Sequence, residues 1–305
     1  MLSANAERRP LLLDVDTGVD DAMAIALALE LEQHELVAVT TVAGNVPVDY
    51  TTPNTLKVLD WLGAFVPVFR GMSAPLAQPL FTAGHVHGDD GIGGWAAPAP
   101  KREAEATTAS EAIVRLARAH RGEIDFAFVG PLTNLAVALL LEPELPQMVS
   151  RLVIMGGAFF GPGNTTPDAE FNIYVDPEAA ALVASAGFDA TWIGLDVTHR
   201  APLTRAAWDG LAGVHSPAGT LVREVSRRRF EVQGLDRVHL HDPLTVAVVE
   251  EASLVELQCG EVTVDTGTQH RGRTRLSAGS SGNNAVASGV DVDRFDARFR
   301  RLLGS

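Results

Sequence analysis

Near the amino terminus an apolar run, Pro10-Leu11-Leu12-Leu13, passes directly into Asp14-Val15-Asp16-Thr17-Gly18-Val19-Asp20-Asp21, and then into alanine, methionine, isoleucine and leucine at helical spacing. The short apolar run bounded by acids and glycine predicts a buried strand over 10–16. Asp20 and Asp21 fall in the first turn of a predicted helix over 20–32, where the helix dipole favours negative charge. A β-branched apolar run over 36–42 follows. This β-α-β opening requires a parallel strand pair joined by a crossover helix.

The alternation continues, with strands predicted over 125–129, 152–155 and 191–195 and helices over 135–141 and 178–186. The pattern is that of an α/β fold: a doubly wound, mostly parallel, Rossmann-like sheet with helices on both faces. After residue 240 a helix over 243–251 precedes strands over 254–264 and 273–276, a small antiparallel addition near the C-terminus. An amphipathic helix over 293–303 ends the pattern. No repeat, long linker or low-complexity tract interrupts it, so residues 1–305 read as a single domain. The glycine- and proline-rich stretches 84–100 and 159–167 are long for connectors, and long ordered loops often carry function.

Four aspartates, Asp14, Asp16, Asp20 and Asp21, lie within eight residues. Asp14 and Asp16 share a face if the strand reaches Asp16. Carboxyl ends of strands in open parallel sheets are ligand-binding edges. Helix capping accounts for one or two acids, not four. Like charges this close need a cation or raised pKa values. Oxygen donors suit calcium or magnesium. There is no EF-hand loop and no His/Cys spacing for zinc. Asp242, followed by Pro243 and a helical pattern, is either a fifth carboxylate for the same ion or another helix cap. Asn164, Glu170 and Asn172 suit sugar hydroxyls or the bonding of their own loop. In an extended segment Glu170 and Asn172 would point one way and Phe171 the other. His87, in a glycine-rich loop, and His241, beside Asp242, are either site groups or ordinary satisfied histidines.

Charge narrows the partners. With 38 acidic and 24 basic side chains the net charge is −14, which repels a phosphate backbone and argues against a nucleic-acid partner. Arg227-Arg228-Arg229, flanked by Glu224 and Glu231, reads as a solvated helix face. The single cysteine, Cys259, allows no intrachain disulfide and is predicted in the core of a strand. Apolar runs are short and no secretion signal pattern is present, so a cytoplasmic protein with no membrane partner is expected.

Residues 14–22 resemble the amino-terminal signature of the inosine-uridine nucleoside hydrolase family, with Thr17 where members often carry proline. The resemblance extends through Ala43-Gly44-Asn45, Gly130-Pro131-Leu132-Thr133-Asn134, Met155-Gly156-Gly157, Ala169-Glu170-Phe171-Asn172-Ile173, His241-Asp242-Pro243-Leu244 and Val290-Asp291-Val292-Asp293-Arg294-Phe295. It implies hydrolysis of the N-glycosidic bond of ribonucleosides. It also implies Ca2+ held by Asp16, Asp21, Asp242 and the backbone carbonyl of Thr133, with Asp16 as general base and Asn45 near the nucleophilic water. Asp20, Asn164, Glu170 and Asn172 would hold the ribose. His241, titrating near the ordinary histidine value of about 6.5, would donate a proton to the leaving base. His87 and the loops over 80–95 and 225–240 would close over the base, and the assembly would be a homodimer or homotetramer. Relatives that accept pyrimidine nucleosides often carry tyrosines before the His-Asp-Pro motif. This chain has Arg227, Arg228, Arg229 and Phe230 there, and Phe230 is the residue expected to stack on the base. Alternatives on the same fold are a hydrolase of another ribosylated substrate (a modified nucleoside or nicotinamide riboside) and a non-catalytic nucleoside-binding protein. A phosphohydrolase with an Asp-x-Asp nucleophile would need a later lysine, and neither Lys57 nor Lys101 has that setting.

Overall fold

The computed structural model describes residues 8–279 and 282–304. Its strands, in chain order, are β1 (Arg9–Val15), β2 (His34–Thr41), β3 (Val68–Arg70), β4 (Asp125–Phe128), β5 (Arg151–Met155), β6 (Ala190–Ile193), β7 (Pro202–Thr204), β8 (Arg237–His239), β9 (Val255–Val264), β10 (Thr274–Ala278) and β11 (Asn284–Val290). Nine of them form one sheet in the order β10-β9-β11-β6-β5-β4-β1-β2-β3, and β7 and β8 form a separate antiparallel ribbon. From β3 to β11 all neighbours are parallel, while β9 and β10 are the antiparallel addition at one edge. The doubly wound expectation holds. The sequence pattern missed β11, which pairs with both β6 and β9 and so joins the addition to the parallel sheet.

The uninterrupted leucines of β1 have a simple cause: both faces of the strand are covered. Leu11, Leu13 and Val15 pack into a core that includes the helices Val19–Leu29, Val48–Trp61 and His241–Glu250. Leu12 points into a second core with the helices Ala109–Ala119, Thr133–Leu141 and Pro177–Ser185. The chain winds outward from β1 through β2 and β3, then returns to the other side of β1 as β4. The connections leaving β1 and β4 therefore diverge, which opens a crevice at their carboxyl ends.

The opposite end of the sheet is held by charge. Asp125, the fully buried first residue of β4, accepts hydrogen bonds from Arg9 Nη2 (3.0 Å) and Arg151 Nη2 (2.7 Å), and pairs with His34 Nε2 (3.0 Å). Burial alone would raise its pKa, but the bonds from His34 and Arg151 and the charges of Arg151 and Arg9 outweigh it and hold the carboxyl below its ordinary value. A depressed carboxyl pKa contributes stability above the unfolded value near 4, and that stability is lost as pH falls through the folded value. Asp125→Ala is expected to cost about 2–4 kcal/mol, short of the cost for a fully buried pair because both arginines are part-exposed. Urea denaturation at pH 7 and pH 3 checks this. The gap between the two proteins should narrow at the lower pH, and an undiminished gap there would refute the electrostatic account.

Two expectations fail at the sheet. Asp14 and Asp16 do not act as a pair: β1 ends at Val15, and Asp14 is bonded by Thr40 Oγ1 (2.5 Å) and Asn134 Nδ2 (2.7 Å). Cys259 lies on a strand but is exposed, because residues 256–259 of β9 face solvent near the sheet edge. Among the described residues no helix is long and apolar enough to cross a membrane.

Candidate active site

Two buried helix N-termini meet at the carboxyl edge of β1. The helix Val19–Leu29 brings Asp20 and Asp21, and the helix His241–Glu250 packed beside it brings Asp242. One carboxylate oxygen from each of these three lies within 4.8 Å of the others. Asp21 is fixed by bonds from Asp16 N (3.0 Å), Gly18 N (2.8 Å) and Asn45 Nδ2 (3.1 Å). Asp16 stands beside it, its Oδ2 accepting from Asn45 N at 2.7 Å. Asn45 thus ties the loop after β2 to both Asp16 and Asp21.

Burial and mutual repulsion dominate the electrostatics. Asp16 and Asp242 are pushed well above the usual carboxylate range by burial and then by their acidic neighbours. Burial and Asp21 raise Asp20 to about 7, and burial also raises Asp21. Four buried carboxylates with only neutral hydrogen bonds between them are a poor arrangement for the protein alone and a good one for a hard cation. The acidic group is able to bind a metal ion.

The acids form one wall of a cavity of about 350 Å³ that Asp16, Asp20, Asn45 and Asp242 all reach. Asn164, Glu170 and Asn172 line it as well. Glu170 does not lie in an extended segment. It caps the short helix Phe171–Val175, accepting from Asn172 N (2.9 Å), Ile173 N (3.2 Å) and Gly157 N (3.2 Å). Asn172 Nδ2 donates to Val129 O (2.7 Å) and Met155 O (3.2 Å), at the ends of β4 and β5. The helical turn brings Phe171 to the cavity alongside Glu170 and Asn172, which corrects the opposite-sides expectation. Burial lifts Glu170 to about 7 against those backbone bonds.

Residues 11–297 match the family model for inosine-uridine preferring nucleoside hydrolase. The chain belongs to this family. It is a hydrolase acting on N-glycosyl compounds. It is 39% identical over 304 residues to the pyrimidine-specific ribonucleoside hydrolase RihA of Shewanella woodyi, covering 97% of this chain and 96% of that one. It is 41% identical over 296 residues to the non-specific ribonucleoside hydrolase RihC of Klebsiella pneumoniae, covering 94% and 96%. Among solved structures, a purine-preferring ribonucleoside hydrolase from Gardnerella vaginalis superposes with a TM-score of 0.90 at 34% identity, covering 97% of this chain and 98% of that one. A plant nucleoside hydrolase gives 0.91 at 31%, covering 97% and 99%. These relatives differ in base preference, so likeness to them does not choose among bases.

In this nucleoside hydrolase the remaining predicted residues divide. His87 lines the cavity, and its Nδ1 accepts from Val19 N at 3.0 Å. Burial, then the charge of Arg229, lowers it to about 3. His241 also lines the cavity, its Nδ1 paired with Thr198 Oγ1 at 2.7 Å. It does not titrate near 6.5, because burial and the neighbouring His239, His199, His87 and Arg229 push it well below that value. Thr133 lies outside the cavity wall, and its hydroxyl donates to Asp176 Oδ2 at 2.6 Å. Phe230, expected to stack on the base, does not line the cavity. It is fully buried and stacked on Trp208, with ring centroids 5.0 Å apart. Arg227 keeps the solvated role, paired with Glu224, but Arg229 lines the cavity. The segment Arg228–Val232 is a π-helical turn continuing the helix Pro217–Arg227, and the changed winding defeats the solvated-face reading.

Sequence reading also missed His199 and His239. With His241 they form a cluster whose ring centroids lie 4.7–5.6 Å apart. The spacing His239-Leu240-His241 after a strand was a usable signal, since residues two apart share a side. No local signal marks His199. Gly44 matters because a Cβ there would collide with Asp16 Oδ2 and sit 2.8 Å from Pro131 Cδ. Gly44→Ala should displace the Asp16 carboxylate and lower kcat on a nucleoside by roughly 10–100-fold. A kcat within twofold of the parent would show that Asp16 need not hold this position.

Proposed function

We propose that this enzyme hydrolyses the N-glycosidic bond of ribonucleosides to ribose and free base, with Asp16 as general base at a calcium site. The observation that carries the reading is one cavity with buried carboxylates on one wall and Asn164, Glu170 and Asn172 also lining it. The acidic group, with Asp20 as well as Asp21 and Asp242, supports a calcium site beside Asp16, and Thr133 contributes through its backbone carbonyl. Such an ion would supply anchoring of the ribose hydroxyls and favour a deprotonated water. Asp16, oriented by Asn45 N, takes a proton from the water as its oxygen bonds to C1′. Asp20, Asn164, Glu170 and Asn172 hold the sugar, and orientation of this kind is worth up to roughly 7–11 kcal/mol at its limit. The C1′–N bond breaks through an oxocarbenium-like transition state. His241, with Thr198 on Nδ1, has Nε2 as its other nitrogen for a hydrogen bond to the departing base.

The sheet draws β1 and β11 from the two ends of the described chain, which supports one domain. Family likeness supports a homodimer or homotetramer, and light scattering on the purified protein checks it. The deciding experiment is base release from inosine, adenosine, guanosine, uridine and cytidine. Turnover of at least one supports the reading. Release from none, with calcium present, would move the assignment to another ribosylated substrate or a binding role.

A further inference from the structure

The relatives leave the base open, and the cavity contains one feature that bears on it. Among the described residues Arg229 is the only lysine or arginine in the cavity wall. It is half-buried on the π-helical turn. It shares the cavity wall with His87 and His241, the histidines expected at the leaving base. Both of its acceptors are neutral: Nη1 donates to Gln233 Oε1 (2.6 Å) and to Val86 O (3.4 Å). Gln233 Nε2 in turn donates to His85 O at 3.1 Å. The turn is thereby latched to the short helix Gly84–His87, and the guanidinium is held in place without a carboxylate at its fork.

We infer that Arg229 is the base-specificity residue, selecting nucleosides whose base carries an oxo group over those with an amino group at the matching position. This rests on the hydrolase reading above and deepens it. In the reaction the C1′–N bond breaks with its electron pair moving onto the base. The water oxygen bonds to C1′, one water proton goes to Asp16, and the base nitrogen regains a proton from solvent. The charge on the departing base spreads onto its oxo oxygen. A guanidinium is a permanent cation that only donates, so it stabilises that oxygen. An exocyclic amine presents donors to donors, and a polar site left unpaired rejects the wrong group strongly. Uracil against cytosine and hypoxanthine against adenine differ at this edge while ring size stays constant.

The test is kcat/KM for uridine, cytidine, inosine and adenosine with the calcium-loaded full chain and its Arg229→Met, Arg229→Lys and Gln233→Ala variants. The parent should favour uridine over cytidine and inosine over adenosine by about tenfold or more. Arg229→Met should bring both ratios towards one. Arg229→Lys keeps the charge and loses the fork, so its ratios should fall between, and it serves if the methionine variant fails to fold. Gln233→Ala removes the nearer acceptor that fixes the guanidinium, so it should also lower both ratios, by less than Arg229→Met. Parent-like ratios in both Arg229 variants, or a parent that prefers the amino bases, would overturn the assignment while leaving the hydrolase reading in place. A parent that releases no base from any of the four, nor from guanosine, would overturn both.

Discussion

Asp16→Ala is expected to lower kcat by about 10²–10⁴-fold, the range for removal of a positioned general base. Asp16→Asn should do nearly the same, because it keeps an acceptor for Asn45 N and loses only the ability to take the proton. Stability should move the other way. Asp16 is buried among Asp20, Asp21 and Asp242, and its ionised form is disfavoured by burial and by Asp21. Removing a carboxylate from that group relieves repulsion, so the metal-free variants should melt no lower than the metal-free parent. Rates measured on a nucleoside and melting curves on the same samples separate the two effects. A variant retaining a tenth or more of parental kcat would remove Asp16 from the role of base. A variant that loses activity only in proportion to lost folded protein would do the same.

Loss of the cation should be as damaging. Chelation is expected to abolish base release and added calcium to restore it. Asp242→Ala should lose activity beyond the roughly 10–100-fold typical of outer-shell changes at metal sites, and calcium should not rescue it. In the parent, calcium at a hundredfold its Kd should stabilise the fold by about 2.7 kcal/mol. The affinity should also depend on pH. Asp20 takes a proton at about 7 in the metal-free cavity, and burial and their acidic neighbours hold Asp16 and Asp242 well above the usual carboxylate range. Protons therefore compete with the cation, so binding should weaken as pH falls through about 7, and proton release on binding should grow over the same range. Calorimetry in two buffers of different ionisation enthalpy reads both quantities. Calcium-independent turnover by thoroughly chelated enzyme would end the metal reading.

The Arg229 inference connects these rates to base choice. In the proposed reaction the carboxylate wall and Asn164, Glu170 and Asn172 act on ribose, which every substrate in the panel shares. Discrimination must then come from groups that meet the base, and the π-helical turn and the helix Gly84–His87 both line the same cavity. The same latch that fixes Arg229 joins the two segments, so the Arg229 inference couples loop order to base preference.

Much of this was legible in the chain. The run from Leu11 to Asp21 dictated a buried strand feeding an acidic helix start, because an uninterrupted apolar stretch suits only a strand covered on both faces. The alternation that follows dictated a doubly wound sheet, and such a sheet places its ligand at the carboxyl ends of its strands. The acids, Asn45, Asn164, Glu170, Asn172, His87 and His241 were all visible as residues of the right chemistry. Only the tertiary structure decided how they divide. Asp14 turned away to Thr40 and Asn134 because the strand ends one residue before Asp16. Asp20 joined Asp21 and Asp242 because two helix starts distant in sequence pack side by side. Burial among charged and aromatic neighbours moved His241 far from the value of a free imidazole. Phe230 went to the core and Arg229 to the cavity because the wider π-helical turn that carries both changes the angle between successive side chains. Short-range pattern gives the period of an element, but the direction of a side chain at its end depends on what the rest of the chain packs against it.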